Sequence, residues 1–533
     1  MSGAGAEKTP FDRQDRFAAA LKKYWGYDGF RPRQEEVVRN LAAGRDVCVV
    51  MPTGGGKSLC YQLPAVLSEG RTAVVISPLI ALMQDQVAHL RQMGIPAVFL
   101  NSSVSDSDRR AVKQKAIAGE YRLMYVSPER AVMEGTVEWL KKVPLSFFAI
   151  DEAHCISEWG HDFRPEYRQL SKLRQTFPQQ AIAAFTASAT QQVRHDIVRQ
   201  LMLKDPFKSV SSFRRENLRY FVKETNGTLQ DEMLLAAVKG AAGGSVIVYT
   251  PTIARVGEVV ELLKEHGIAS VGYHGQMEAA ARQRNQNSWM SEEVRVLVGT
   301  IAFGLGINKP NVRAVIRLGL PESIEQLYQE TGRAGRDGLP ADCCLWWQKR
   351  DKALRAHFIR QIGDERERER AWRRYGRLQE FVSTPECRQR MICRHFGEPA
   401  HWGKCGVCDV CAGTPDWMRP TRGSAGRRRR GRPGRRKEAP AFPPGADPGV
   451  AVDGRLRGLL REWRRNTAQE KLVPAFVVLH DAALEALCAR QPRTRQELLQ
   501  ISGIGEKKCA MYGAEILEVF ERFRRGERPA GER

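Results

Sequence analysis

The chain has 533 residues and a mass of 60.0 kDa, with 42% hydrophobic and 27% charged residues, a length for three or four domains and a composition that excludes wholesale disorder. No run approaches the roughly 18–20 apolar residues of a membrane span, and the start, MSGAGAEKTPFDRQDR, lacks the apolar stretch of a secretory signal; the expectation is a cytoplasmic protein, or a nuclear one in a eukaryote. Lys plus Arg number 84 against 61 Asp plus Glu, a net charge of +23, which points to a polyanion as partner, the alternative being a basic but unspecific surface.

After a tail at 1–18, short apolar runs alternate with helical patterns. A first set comprises DVCVVMPT (46–53), TAVVIS (72–77), LMYVS (123–127), FFAIDE (147–152) and IAAFTAS (182–188). A second comprises SVIVYT (245–250), SVGYH (270–274), VRVLVGT (294–300), AVIRL (314–318) and CCLWW (343–347). Short continuous apolar runs between helices predict parallel strands covered on both faces, hence two α/β lobes in tandem, 19–208 and 209–347. A charged helical stretch leads into a cysteine cluster, together 348–413. Residues 414–450 hold ten Lys/Arg against three Asp/Glu, with many Gly and Pro; such a segment has no core and reads as a linker or arm. Helical patterns return over 451–528.

MPTGGGKS (51–58) follows the first strand and opens a helix, the setting of a phosphate-binding loop. Thr53, Gly54, Gly55 and Gly56 would wrap the phosphates with backbone N–H groups, Lys57 would reach the β/γ-phosphates, and Ser58 would hold Mg²⁺. Met51 stands where the usual motif has its first glycine. Asp151 and Glu152 end the strand FFAI, at the ligand edge of such a sheet; Asp151 suits Mg²⁺ and Glu152 suits orienting or deprotonating a water. In QETGRAGRDG (329–338), Arg333 and Arg336 are three apart, so on a helix they share a face and could act as arginine fingers across a cleft. A solvated basic helix face is the alternative. Cys387 precedes Cys405, Cys408 and Cys411, whose spacing suits four thiolates around Zn²⁺; Cys393, His395 and His401 are rival ligands, and an iron–sulfur cluster is a rival occupant.

The motifs GFRPRQEEV (29–37), MPTGGGKS, SPLIALMQDQV (77–87), YVSPER (125–130), DEAHCISEWGHDFRPEY (151–167), FTASAT (185–190), GTIAFGLGINKPNVR (299–313) and YQETGRAGRDG (328–338) occur in order. The chain thereby resembles RecQ-family DNA helicases of superfamily 2, over about 20–412 and again over 452–525. The resemblance implies two RecA-like parallel-sheet lobes, a helical zinc-binding subdomain and a small all-α C-terminal HRDC domain. It implies ATP- and Mg²⁺-dependent 3′→5′ unwinding of DNA during repair, recombination or replication, on single-stranded and forked DNA. By the same likeness Tyr27, Arg31 and Gln34 would grip the adenine, and Gln329 would join Arg333 and Arg336 at the γ-phosphate. The segment 157–167 would be the family's aromatic-rich loop, with Trp159, His161, Phe163 and Arg164 on DNA; core packing of Trp159 and Phe163 is the other reading. FTASAT departs from the family's TATAT-like run but keeps hydroxyls at Thr186 and Thr190. A single-strand DNA-binding protein and a topoisomerase are partners by resemblance, and a monomer is the expected state.

RecQ helicases often carry a winged-helix domain after the zinc site. The roughly 40 residues available here are too few and too polar to build one, which puts the mode of strand separation in doubt. The arginines of 427–436 are either a phosphate-binding arm or a solvated linker. In the HRDC-like region the turn SGIGEKK (502–508) could present Lys507 and Lys508 to a phosphate backbone, or serve packing alone. The rival functions are an ATP-driven translocase or annealing remodeller with weak unwinding, a non-catalytic DNA-binding scaffold, and action on RNA.

Overall fold

A computed structural model describes residues 16–100, 106–241, 243–301, 303, 309–415, 418, 454–471 and 475–527; most of the arginine-rich segment and part of GTIAFGLGIN lie outside them. The first lobe is a seven-stranded sheet of β1 (Val47–Val50), β2 (Thr72–Ile76), β3 (Ala97–Leu100), β4 (Leu123–Val126), β5 (Leu145–Ile150), β6 (Ala181–Thr186) and β7 (Phe207–Val210). Its order is β3-β4-β2-β5-β6-β1-β7, with every pair parallel. The second lobe holds β8 (Leu218–Glu224), β9 (Ser245–Tyr249), β10 (Ser270–Tyr273), β11 (Val296–Gly299), β12 (Val312–Leu318) and β13 (Ala341–Trp347), in the order β10-β11-β9-β12-β13-β8 and again all parallel.

Helices cover both faces of each sheet, which is why the central strands read as unbroken apolar runs. Within β1, Val47 and Val49 enter one core cluster while Cys48 and Val50 enter the opposite one. All ten predicted strands form. The three that the pattern missed, β3, β7 and β8, are edge strands, and edges are covered less completely, so β7 and β8 carry exposed Lys208, Arg219 and Glu224. One buried carboxylate closes the base of the first lobe. Asp46 accepts from Ile182 N at 2.8 Å and Lys204 N at 2.6 Å, and it pairs with the Arg174 guanidinium.

The zinc-binding region is helical, with Glu365–Ser383 and Arg388–His395 the main elements. It is tied to both lobes. Asp409 accepts from Val222 N of β8 at 3.0 Å, Glu398 accepts from Ser212 Oγ at 2.6 Å and Phe213 N at 2.7 Å at the start of lobe 2, and Phe396 O accepts from Arg194 of lobe 1 at 3.3 Å. The C-terminal bundle comprises Gly454–Glu470, Ala475–Val478, Asp481–Arg490, Arg495–Leu499 and Glu506–Arg524 around its own core. It docks on the helicase lobes. Gly503 N donates to Gly26 O at 3.1 Å, the His89 and His480 rings lie 5.9 Å apart, and Arg464 approaches Glu292 of the second lobe at 3.5 Å.

Candidate nucleotide, nucleic-acid and metal sites

The loop 51–56 leaves β1 and enters the helix Lys57–Leu67. Gly54 and Gly56 both have φ of +85°, a conformation glycine adopts without the steric cost of a Cβ. A Cβ on Gly56 would lie 2.2 Å from Gln34 Nε2, so the loop is closed from outside by that amide, which donates to Gly55 O and Gly56 O at 3.2 Å each. Arg31 donates to Gly54 O. Tyr27 sits just upstream, its phenol pushed up by burial although Arg31 opposes the shift. Gln34, Arg31 and the loop are thus one constellation, drawn together from segments about 20 residues apart.

Lys57 Nζ donates to Met51 O at 3.1 Å, so the residue in the first-glycine position contributes its carbonyl. Burial lowers the Lys57 ammonium's pKa, and the nearby Glu152 and Asp151 carboxylates oppose that. Asp151 is raised by burial and then by Glu152. Burial acts the same way on Glu152, but His154, whose Nδ1 lies 3.3 Å from Glu152 Oε2, holds it below its ordinary value. The same Nδ1 is 2.9 Å from Thr186 Oγ1. Two residues on, Ser188 Oγ accepts from Gln329 Nε2 at 3.0 Å. FTASAT therefore touches the DEAH histidine with one hydroxyl and the second lobe with the next.

Arg333 and Arg336 do not share a helix face. The helix Ile324–Thr331 ends before them, and Gly335 takes φ +55°, so both lie in the following turn. That turn meets the phosphate-binding loop from across the cleft. A Cβ on Gly54 would sit 3.4 Å from Arg336 Cγ, and one on Gly332 would sit 3.3 Å from Thr53 Oγ1. Burial, then Arg333 and Arg215, push Arg336 down to about 9, which still leaves it charged at neutral pH. Arg215, which sequence reasoning passed over, donates to Thr53 O at 3.1 Å, Ala334 O at 3.1 Å and Gly335 O at 2.9 Å. It staples the loop of one lobe to the arginine turn of the other. No motif flagged it, because its role depends on an interlobe distance.

In the segment 157–167, Trp159 is 39% exposed and lies 5.7 Å under the Arg370 guanidinium of the helix Glu365–Ser383. Arg370 also pairs with Glu158 at 3.3 Å. Phe163 is half-buried beneath Arg168, and Arg164 pairs with Asp162 at 3.2 Å. The His161 ring stacks on His154, centroids 4.8 Å apart and planes at 9°, so the segment touches the DEAH sequence directly. At the other end of the chain Lys507 is exposed, but Lys508 is 6% exposed and faces lobe 1; in this docked arrangement Lys508 is not open to a phosphate backbone.

Cys387, Cys405, Cys408 and Cys411 place their sulfurs within 4.8 Å of one another, a donor set and spacing that fit tetrahedral Zn²⁺. Arg388 and Asp409, the residues after Cys387 and Cys408, form a buried pair at 3.0 Å that locks the two halves together. Cys393 is fully buried outside this group, and His395 instead pairs with Glu325 at 2.7 Å.

Family models match in the same order as these elements: DEAD/DEAH box helicase over 31–196, helicase conserved C-terminal domain over 228–338, RecQ zinc-binding over 349–412 and HRDC domain over 453–520. The chain is 32% identical over 588 aligned positions to the ATP-dependent DNA helicase RecQ of Bacillus subtilis, covering 96% of this chain and 99% of that protein. It is 43% identical over 397 residues to the protein of that name from Haemophilus influenzae, covering 74% of this chain and 64% of that one. The chain thus spans less than two thirds of the Haemophilus relative's length. Among solved structures, Saccharomyces cerevisiae Dbp5 bound to RNA and ADP BeF3 has a TM-score of 0.52 at 15% identity, covering 70% of this chain and 93% of that one. The DUF1998 helicase MrfA bound to DNA gives 0.52 at 19%, covering 64% and 52%. At those identities the likeness shows the fold alone.

Proposed function

Because the chain belongs to the RecQ family of helicases, we propose that it is an ATP-dependent 3′→5′ DNA helicase, in which closing and opening of the cleft between the two lobes drives steps along one strand. The observation that carries this reading is the meeting of the Arg336 turn and Arg215 with the phosphate-binding loop. The γ-phosphate end of a nucleotide held there would lie between the lobes, so its loss changes what holds them together.

Tyr27, Arg31 and Gln34 hold the adenine end, and the N–H groups of 53–58 face the phosphates. Lys57 leaves Met51 O for the β/γ-phosphates. Ser58 and Asp151 would hold Mg²⁺, which would neutralise phosphate charge when bound. Glu152, oriented through His154, accepts a proton from the attacking water, while Gln329, Arg333 and Arg336 stabilise charge on the transferred group. Trp159, His161, Phe163 and Arg164 take single-stranded DNA; the stack of His161 on His154 gives DNA occupancy a direct path to Glu152. The four-cysteine site is structural, since every donor is a protein thiolate. Lys507 and Lys508 contact DNA when the C-terminal bundle is undocked. The protein acts as a monomer on forked DNA in repair or recombination, beside a single-strand DNA-binding protein and a topoisomerase. Acting on DNA, it is placed with the nucleoid in a bacterium or in the nucleus of a eukaryote.

The test compares wild type and Lys57→Ala for ATPase and for unwinding of 3′- and 5′-tailed duplexes. DNA-stimulated ATPase with unwinding of the 3′-tailed duplex alone, both lost in the variant, is the expected result. Stimulated ATPase with no strand separation would replace the helicase reading by a translocase. That second reading has its own support in the B. subtilis alignment, whose 588 positions exceed this chain's 533 residues, so that relative carries segments this chain lacks.

A further inference from the structure

Among the described residues, one group of metal-binding side chains lies outside the four-cysteine site. His154 and Cys155 follow the two acids of the DEAH sequence, Asp162 belongs to the aromatic-rich loop, and their ligand atoms lie within 4.8 Å of one another. We propose that these three residues form a further metal site, one that takes a borderline-soft divalent cation such as Zn²⁺, Cd²⁺ or Co²⁺ and so fastens the loop to the DEAH segment.

The geometry carries the argument. Cys155 Sγ is 3.8 Å from His154 Nε2 and 3.7 Å from Asp162 Oδ2. With Zn–S near 2.3 Å and Zn–N or Zn–O near 2.1 Å, tetrahedral coordination requires donor–donor edges of about 3.6 Å. Two of the three edges are therefore nearly formed without an ion. The donor chemistry, one imidazole, one thiolate and one carboxylate, suits zinc and its softer analogues and not Mg²⁺, which prefers oxygen alone.

The surroundings match as well. A ligating histidine ordinarily has its other nitrogen held by a carboxylate or another acceptor. Here Nδ1 lies 3.3 Å from Glu152 Oε2 and 2.9 Å from Thr186 Oγ1, leaving Nε2 toward the thiol. Cys155 is fully buried, whereas the Asp162 side chain is 37% exposed, so an ion reaches the site from the solvent side of the loop. Two things oppose binding. Asp162 must release Arg164, whose side chain is 29% exposed and free to turn outward. Burial and a neighbouring acid also keep the Cys155 thiol protonated, so a bound ion must displace that proton, and any proton on Nε2, into solvent while the metal–sulfur bond forms.

The loop and the DEAH segment are the elements through which DNA binding and hydrolysis are coupled in the proposed function, and the inhibitory consequence rests on that reading. An ion bridging 154–155 to 162 fixes their spacing and uncouples the two. Cation binding itself does not depend on it.

The experiment titrates the zinc-loaded full-length protein with Co²⁺, recording absorption and the zinc retained. Wild type is expected to take up one Co²⁺ beyond its zinc and to develop a thiolate-to-cobalt charge-transfer band. Cys155→Ser should lose that band while keeping its zinc, and Asp162→Asn should weaken binding. In parallel, Cd²⁺ should abolish DNA stimulation of the wild-type ATPase and spare that of Cys155→Ser. Absence of extra cobalt in wild type, or the same band in Cys155→Ser, overturns the proposal. If Cys155→Ser fails to fold, Asp162→Asn decides by itself. A protein that binds the extra cobalt yet lacks DNA-stimulated ATPase would refute the helicase reading and leave the site standing.

Discussion

The docking of the C-terminal bundle can be perturbed through a single added carbon. Gly505 precedes the last helix with φ −85° and ψ 173°, extended backbone that alanine adopts freely. Yet a Cβ there would lie 2.7 Å from Lys23 O and 3.4 Å from Lys22 O, both on lobe 1. Gly505→Ala therefore acts on docking. Overpacking of this kind costs about 1–3 kcal/mol, which shifts the docking equilibrium roughly 5- to 150-fold. The Gly503 N to Gly26 O bond at 3.1 Å would loosen with it. Alanine is also a poorer helix N-cap than glycine, so Gly505→Ser serves as control: it adds the same Cβ but caps better. Energy transfer between a probe on lobe 1 and one on the last helix should fall in both variants. Undocking also uncovers Lys508 and frees Lys507, so the log–log salt slope of single-stranded DNA affinity should steepen by about 1.4, from two contacts at roughly 0.7 each. Unchanged energy transfer in both variants refutes the docking argument. Loss in the alanine variant alone assigns the effect to the cap, and undocking without a steeper slope refutes the role given to the two lysines.

Two further outcomes are expected. His480 packs among Lys508, Arg464, Arg31 and His89, and burial followed by the first three of these hold its pKa down at about 3. Lys508 and Arg464 belong to the bundle itself, so docking contributes the burial against lobe 1 and the Arg31 charge; a group whose pKa is lower docked than undocked disfavours docking as pH falls below about 6.5, and energy transfer that stays constant between pH 7.5 and 5 would contradict this. Cys408→Ser removes a fully buried donor from the four-sulfur group. It should lose its zinc by metal analysis and lower stability by several kcal/mol, given that structural zinc binding is worth about 10–16 kcal/mol; retained zinc with an unchanged thermal transition would contradict the structural role.

The nucleotide loop was legible because its chemistry is contiguous. A strand, three glycines, Lys57 and Ser58 in eight residues leave few alternatives. The same holds for Asp151-Glu152 at a strand end and for the cysteine spacing at 405, 408 and 411. The central strands were legible because both their faces are buried, whereas in the edge strands β7 and β8 Lys208, Ser209, Arg219 and Lys223 break the apolar run. For Arg333 and Arg336 the expected shared helix face did not form, since Gly335 turns the chain where a helix was expected, and that turn is what brings Arg336 to the phosphate-binding loop. Arg215 and Ser188 escaped notice because arginine and serine are common and each draws its meaning from a partner far along the chain.

Local chemistry thus defined the elements and the loops that can cradle a phosphate or a zinc ion, because hydrophobic period, glycine conformation and ligand spacing act over a few residues. The pairing of Arg215 with Thr53, of Gln329 with Ser188, of Trp159 with Arg370 and of Gly503 with Gly26 came from the packing of separate units. Those contacts join residues 141 to 477 positions apart in different units, and their geometry is set by how whole surfaces fit, a property that no local stretch of sequence carries.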